Sequence, residues 1–340
     1  MKRSSLFSAT LFIAGALAVG TGLASANPVV WQLTEWPNTD FEQHSIDYAE
    51  IQSGGPRKDG IPPIDDPVFE RLENGTATGW GSRYQDNEPV ITVSVGDDAR
   101  AYPLSVMTWH EIVNDTVGGL PLTITYCPLC NAALVFERTV EGTVLDFGTT
   151  GKLRNSDLVM YDRQTESWWQ QFTGEAIVGS YTGSRLTLFP ARLESFALFK
   201  ERFPDGRVLV PANPGLREYG RNPYPAYDMP GATPFLYQGE MPDGIEPMER
   251  VVAVATPNGP EAWSLTFLRD AGEIVAGNLR ISWREGQASA LDAASVAGGR
   301  DVGNVTVQRL TEAGPEDVPY DVTFAFAFHA FRPDSPIYTD

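Results

Sequence analysis

The sequence predicts a mainly β protein with a few short helices, arranged as two diverged tandem repeats. Short runs of alternating apolar and polar residues, such as PVITVSV from Pro89, are bounded by Gly, Pro, Asn and Asp along most of the chain, a pattern typical of strands joined by turns. Three pairs of similar segments recur in the same order: VITVSV and VVAVAT, PLTITY and NLRISW, and FALFKERFPD and FAFAFHAFRPD. Recurrence in a fixed order indicates a duplication; chance similarity between β-rich segments is the alternative.

The pattern divides the chain into four segments after its first 26 residues. Residues 27–84 are rich in turn signals, so we expect an irregular segment that wraps the first repeat. Residues 85–212 form repeat 1 and residues 248–340 form repeat 2. Between them, residues 213–247 contain seven prolines and no sustained periodicity, which predicts a linker or a strap; this segment is called the strap below.

The first 26 residues have the features of a secretory signal peptide. Two basic residues precede an uncharged apolar stretch, and Ala24-Ser25-Ala26 matches the pattern of a signal peptidase site. We therefore expect a soluble mature protein that begins at Asn27 and is periplasmic or secreted, with an uncleaved membrane anchor as the alternative. No later segment approaches the roughly 18 apolar residues of a spanning helix, so no membrane span is expected in the mature chain.

The charge of the chain bears on its partners. The formal net charge is −19, and loss of Lys2 and Arg3 with the leader would make it −21. Such an acidic chain is not expected to bind nucleic acid or anionic lipid. The acidic residues are scattered and lack the spacing of a calcium-binding loop. An unknown small molecule or peptide is therefore the expected ligand.

Both cysteines of the chain lie in one short motif, Cys127-Pro128-Leu129-Cys130, between two predicted strands. Pro128 fixes φ and Asn131 tolerates a left-handed backbone, so the turn, called the knuckle below, should direct both sulfurs to one spot. A disulfide across two residues would close a very small loop and stabilise little. The pair therefore indicates a soft-metal site or a redox-active dithiol, and an inert disulfide is the third possibility.

Few residues are available to complete a metal site. The second cysteine pair of a zinc ribbon is missing, and Arg284-Glu285-Gly286 takes the place of the knuckle in repeat 2. We expect His110, on or next to the neighbouring strand, as the third ligand and Met160 as a thioether ligand. Two thiolates, an imidazole and a thioether suit copper better than zinc. The alternatives are a His110 that caps a strand and a Met160 that packs in the core.

Polar residues crowd two predicted hairpin turns next to adjacent tryptophans, and we expect the segment from Gly151 to Trp169 to wall the site. Turn chemistry alone is the alternative for its Asn and Asp residues. Neighbouring residues of a strand point to opposite faces, so only one of the two tryptophans can line a pocket. The ligand-binding candidates are Lys152, Asn155, Asp162, Arg163, Trp168, Trp169 and Gln170.

The motif TYCPLC, followed by FGTTGKLRNSDLVMYDRQTESWWQ, resembles a widespread family of exported bacterial and archaeal proteins described as a domain of unknown function. The resemblance extends from about Arg83 to the C-terminus and implies export without implying an activity. Many members have Gly at the position of Asn131. Both residues allow the left-handed backbone that the turn needs.

Three functions remain open. The first is a metal-binding or metalloredox protein that holds copper or zinc. The second is a thiol–disulfide oxidoreductase on a scaffold other than thioredoxin, with Cys127 and Cys130 as its catalytic residues. The third is a glycan- or peptide-binding module with an inert disulfide, whose affinity would depend on Trp168 or Trp169. The sequence does not decide whether the protein is an enzyme.

Overall fold

A computed structural model describes residues 26–340. Apart from Ala26, the predicted signal peptide lies outside the described residues. Within them the chain is mainly β, with 24 strands and five short α-helices, which confirms the predicted fold class. No helix of this part of the chain is long and apolar enough to cross a membrane.

The described chain contains three short 3-10 helices, at Tyr48–Glu50, Gly81–Arg83 and Val296–Gly298. Most of the α-helices and strands precede the strap. The labelled elements are α1 (Pro28–Thr34), β1 (Ile51–Ser53), β2 (Val68–Arg71), β3 (Pro89–Val95), β4 (Asp98–Pro103), α2 (Leu104–His110), β5 (Ile112–Val117), β6 (Leu120–Cys127), β7 (Ala132–Glu137), β8 (Thr139–Val140), β9 (Thr143–Val144), β10 (Phe147–Arg154), β11 (Asp157–Asp162), β12 (Trp168–Gln170), β13 (Ala176–Val178), β14 (Thr187–Leu188), β15 (Arg192–Ser195), α3 (Phe196–Arg202) and β16 (Arg207–Val210).

The strap itself contains neither helix nor strand. The elements after it are β17 (Arg250–Thr256), β18 (Gly259–Ser264), α4 (Leu265–Ala271), β19 (Glu273–Ala276), β20 (Leu279–Arg284), β21 (Asn304–Thr311), β22 (Gly314–Asp317), β23 (Tyr320–Phe324), α5 (Ala325–Phe331) and β24 (Ile337–Tyr338).

The two predicted repeats have the same strand arrangement. Repeat 1 has a sheet of order β15-β3-β4-β16-β2 and a sheet of order β14-β7-β6-β5; repeat 2 has sheets β23-β17-β18-β24 and β19-β20-β21-β22. In both, the fourth strand of the first sheet pairs in parallel with the third. The register also agrees, because Ile91 faces Tyr102 just as Val252 faces Trp263. This agreement favours the predicted duplication, whose common origin stays a prediction.

Among the described residues, only the first half of the chain contains a third large sheet. Its order is β1-β10-β11-β12-β13, so β1 of the N-terminal segment pairs with strands that follow the knuckle. The N-terminal segment is therefore more than a wrap, since β1 and β2 each complete a sheet. One apolar core cluster runs through both repeats, from Leu72 to Ala327, and a smaller one around Trp36 and Trp168 lies at the third sheet.

Gly151, Asn155 and Ser156 are turn residues and indicate a loop over residues 151–156, but the loop is shorter in the structure. Strand β10 continues to Arg154 through a β-bulge, where Gly151 has φ of 68°. A Cβ atom at Gly151 would lie 2.0 Å from the carbonyl oxygen of Pro56, so only glycine permits this contact with the N-terminal segment. The remaining loop is Asn155-Ser156, whose positive φ values of 53° and 65° are those of a two-residue hairpin turn.

Candidate functional site

The knuckle has the predicted conformation. Cys127 is the last residue of β6, and Asn131, with φ of 53°, precedes β7. Within the turn the Cys130 N–H donates to the Cys127 carbonyl at 3.3 Å, and the Asn131 N–H donates to the Pro128 carbonyl at 3.3 Å. Residues 127–131 therefore form a tight turn that brings the two cysteine side chains together.

The cysteines are close to each other without being bonded. They lie 4.1 Å apart as free thiols, 2% and 0% exposed. The first residue of β11, Asp157, joins them: one donor atom from each of Cys127, Cys130 and Asp157 lies within 4.8 Å of the others. The Asn155-Ser156 turn brings Asp157 to this position, and the Cys127 thiol lies 3.9 Å from the Ser156 carbonyl oxygen. These three residues are called the Cys2Asp cluster below.

One oxygen of the Asp157 carboxyl is held and the other is free. Oδ2 accepts hydrogen bonds from Gln170 Nε2 at 2.6 Å and from the Phe172 N–H at 2.9 Å. Oδ1 is buried and has no hydrogen-bond partner. Burial raises the pKa of Asp157 to about 6, against the lowering effect of these two donors and of the neighbouring Cys127 and Cys130 thiols. A buried oxygen without a partner is costly, so the arrangement suits a group that would bind it.

Burial also changes the acidity of the thiols. It raises the pKa of both cysteines, and the neighbouring Asp157 carboxylate raises it further in each. Both thiols are therefore protonated at neutral pH when nothing else is bound. A bound cation would oppose this effect, because metal ions favour the thiolate form.

Residues of the second half of the chain form hydrogen bonds with the knuckle. The Cys130 carbonyl accepts hydrogen bonds from the Thr323 hydroxyl at 2.8 Å and from the Phe324 N–H at 3.0 Å. The amide of Asn131 donates to the Val322 carbonyl at 2.6 Å. The side chain of Asn131 thus ties the turn to β23, a role that its sequence position did not predict.

His110 and Met160, which were predicted as metal ligands, contact other groups in the structure. His110 ends α2 instead of opening a strand, and its ring nitrogens bond to the Pro62 carbonyl at 2.7 Å and the Tyr219 hydroxyl at 2.8 Å. It is not part of the Cys2Asp cluster, whose third member is Asp157. Met160 is fully buried in the main core, paired across the sheet with Trp169.

Most of the predicted ligand-binding residues are buried or bonded to other residues of the protein. Trp168 and Trp169 are fully buried in different core clusters, on opposite faces as expected, so neither offers a surface to a glycan. Asp162 accepts from Thr165 and Trp169, and Arg163 pairs with Asp65 at 2.7 Å. Gln170 holds Asp157, Asn155 forms the hairpin turn, and Lys152 lines the cavity described next.

A cavity of about 640 Å³ lies beside the knuckle. Its lining comes from residues 54–61, from Leu129 of the knuckle, from β10 and β11, and from residues 223–236 of the strap. Glu111 lines it and is 7% exposed; burial raises the pKa of its carboxyl to about 8, and the nearby Asp157 adds to this. The strap is tied to the knuckle because the Tyr227 hydroxyl donates to the Leu129 carbonyl at 2.9 Å.

Asp157 and Glu111 are the two site residues that we did not predict as such from the sequence. Asp157 was counted among residues of a turn, and its approach to the cysteines depends on the pairing of β10 with β11. For Glu111, comparison of the two similar halves of the chain could have indicated a site, because a glutamate stands where the other half has a glycine. Glu111 ends α2 with φ of 59°, and the residue that ends α4 in the same way is Gly272 with φ of 72°.

Fold and site together define a mainly β protein with a buried Cys2Asp cluster next to a cavity. Residues 58–335 match the model of the family described as "Protein of unknown function (DUF3179)". The match covers most of the chain, so the protein belongs to this family, as the resemblance of its motifs predicted. No curated protein and no solved structure matches the chain.

Proposed function

We propose that the protein binds one soft metal ion through Cys127, Cys130 and Asp157, and that this ion is zinc. The observation that carries the proposal is the geometry of the cluster: three buried donor atoms lie within 4.8 Å of one another, and Asp157 Oδ1 has no other partner. Metal–sulfur and metal–oxygen bonds of about 2.3 Å and 2.0–2.2 Å fit donor atoms at such separations after a small adjustment.

The donor set favours zinc over copper. Copper was the expectation with an imidazole and a thioether, but the third donor is a carboxylate oxygen. Zinc accepts sulfur and carboxylate ligands together, whereas Cu(I) prefers soft sulfur donors. Three protein ligands leave a fourth position for water or another molecule, as in zinc sites that perform catalysis. The adjacent cavity supports such an exchangeable position, which is what a hydrolytic zinc site needs.

Metal analysis of the purified mature protein tests the proposal. We expect one zinc per chain in protein prepared without chelators, and loss of zinc in the variants Cys127→Ser and Asp157→Asn. The matched control is Asp162→Asn, the same change on the same strand at a carboxyl that is equally buried but bonds to Thr165 and Trp169. A second control, His110→Gln, should also keep its zinc. Full zinc content in either cluster variant contradicts the proposal.

A thiol–disulfide oxidoreductase is the second candidate, because the cysteines are unbonded and close enough to form a disulfide after a small shift. Their burial and raised pKa argue against it, since the thiolate is the nucleophile in exchange. Reduction of a model disulfide substrate by the metal-free protein would favour this candidate. Failure of both thiols to react until the protein unfolds would exclude it.

We also propose that the protein is exported from the cytoplasm. Export is supported by the two basic residues, the apolar stretch and Ala24-Ser25-Ala26 at the start of the chain. In the oxidising compartments to which such proteins are sent, free cysteines tend to be oxidised. A bound metal would keep the two sulfurs reduced, which is a reason for an exported protein to hold zinc there.

A further inference from the structure

Glu111 occupies a backbone conformation that disfavours its side chain. Its φ and ψ are 59° and −31°, and Gly272 has 72° and −42° at the equivalent end of α4. A residue with a Cβ atom is strained at such φ values, and glycine is not. Strain of this kind persists where the surrounding structure fixes it, and it is frequent at functional sites. The position in repeat 1 therefore retains a glutamate against the preference of the backbone.

The Glu111 carboxyl points to no protein partner. Among residues 26–340, no hydrogen bond or ion pair engages it, although the side chain is more than nine-tenths buried. It lines the 640 Å³ cavity instead, and the raised pKa reflects the lack of compensation. The carboxyl oxygens are accessible from the cavity and have no partner among the described residues, so a cationic group of a ligand would find an unused acceptor there in a largely desolvated site.

The remaining lining indicates what kind of ligand would fit. Apolar side chains form most of the wall, namely those of Ile61, Leu129, Leu153, Leu158, Phe235 and Leu236. Tyr224 and Tyr227 add aromatic rings, and the Tyr224 hydroxyl has no hydrogen-bond partner among the described residues. Aromatic rings and a carboxylate are together the usual surroundings of an organic cation.

No positive charge in the described lining competes for Glu111. Lys152 is the one basic residue there, and its ammonium is directed to the N-terminal segment, 4.0 Å from Glu35 and 5.9 Å from the centre of the Trp31 ring. A zinc ion on two thiolates and a carboxylate would leave a formal charge of about −1, so the neighbouring cluster does not repel a cation with the metal bound.

The strap shows strain at the same cavity. Ala226 and Leu236 have φ of 67° and 52°, and both line it. The Phe235 N–H donates to the Tyr227 hydroxyl at 3.1 Å, which in turn donates to the knuckle. Residues 223–236 are thus fixed over the cavity by bonds to the element that carries the cysteines.

We propose that this cavity binds a small organic amine, with its ammonium group on the Glu111 carboxylate and its apolar body against Tyr224, Phe235 and the leucines, under the strap. The ligand class is a primary amine with an aromatic or aliphatic body. Its size is within what cavities of this volume enclose. The proposal does not depend on the metal, because Glu111 is not part of the Cys2Asp cluster.

Calorimetric titration of the mature, metal-loaded protein, at a pH above the Glu111 pKa of about 8 so that its carboxyl is ionised, tests the proposal with three probes of one shape: tryptamine, tryptophol and indolepropionate. We expect tryptamine to bind at least about tenfold more tightly than tryptophol, since a charge-assisted hydrogen bond contributes that much, and indolepropionate to bind most weakly. Glu111→Gln should remove the preference for the amine. The matched control is Glu88→Gln, at a buried carboxyl outside the cavity, which should keep it.

The outcomes separate this site from the metal site. Unchanged zinc content in Glu111→Gln with loss of amine selectivity supports the proposal and leaves the metal proposal standing. Equal binding of tryptamine and tryptophol, tighter binding of indolepropionate, binding of none of the three, or unchanged selectivity in Glu111→Gln each overturns it. Because the comparison of probes on the unmodified protein is decisive alone, a variant that fails to fold does not protect the proposal.

Discussion

Replacement of Glu111 by glycine should stabilise the protein while removing a functional group. The backbone at this position has φ of 59°, and glycine is the residue found at the equivalent position, Gly272. Most substitutions of buried residues destabilise, by about 0.5–3 kcal/mol. A gain in stability at a buried site would therefore be diagnostic of a residue kept for function.

The size of the gain follows from four terms. Relief of the positive φ contributes about 1–2 kcal/mol, and removal of a buried carboxyl without a partner contributes about 1–3 kcal/mol. Against these, glycine costs about 0.5–1 kcal/mol in the entropy of the unfolded chain, and two lost methylene groups cost about 0.8 kcal/mol each. The expected net gain for Glu111→Gly is about 1 kcal/mol; Glu111→Ala keeps the strain but also keeps Cβ and the lower chain entropy, so its stability should lie within about 1 kcal/mol of the glycine variant.

The gain should depend on pH. Burial raises the pKa of the Glu111 carboxyl from 4.5 to about 8. A raised pKa means that the folded protein holds this proton more tightly than the unfolded chain does. The stability that this proton contributes is complete below about pH 4.5 and is lost as the pH rises through about 8. The advantage of Glu111→Gly over the unmodified protein should therefore be larger at pH 8 than at pH 5.

Urea denaturation of the unmodified protein and the glycine and alanine variants at these two pH values provides the measurement, provided that all three give single cooperative transitions with the same m-value. A glycine variant that is less stable than the unmodified protein would refute the strain argument. A glycine variant whose advantage is the same at both pH values would refute the assignment of Glu111 as a buried carboxyl without compensation.

Three further predictions follow from the contacts. Replacing Gln170 by Met removes the hydrogen bond that holds Asp157 and should weaken zinc binding by about 10–100-fold in a competitive chelator titration, with the fold intact. Asp228→Asn should destabilise the protein by about 3–5 kcal/mol in urea, because Arg250, 2.7 Å away and buried, would lose its counterion; no change would contradict the role of this pair. Intact-mass measurement of the exported protein should give a chain that begins at Asn27, and a retained leader would contradict the export prediction.

The local features of the fold were predictable from the sequence. Strand β3, the knuckle and helix α3 with Ser195 as its N-cap depend on alternation, on Pro128 and Asn131, and on a hydroxyl that accepts a backbone N–H within the first turn. These signals act over a few residues. The recurrence of similar segments in the same order was likewise visible in the sequence, because it needs no knowledge of contacts.

The candidate site was predictable only in part, because its third donor comes from another sheet. Asp157 reaches the cysteines through the bulge at Gly151 and the turn at Asn155, and neither the length of β10 nor its pairing can be derived from local periodicity. His110 was placed on a strand because it precedes IVND, but α2 extends to it and its ring is used by Pro62 and Tyr219. Contacts between segments far apart in sequence decide both cases.

X-ray absorption at the zinc edge, on protein purified without added metal, tests the Cys2Asp cluster most directly. We expect two sulfur atoms at about 2.3 Å and oxygen ligands at about 2.0–2.2 Å around a single zinc ion. In the Asp157→Asn variant the sulfur contribution should vanish together with the metal. Zinc surrounded by oxygen and nitrogen alone, or a protein that contains no metal and a disulfide between Cys127 and Cys130, would contradict the central claim.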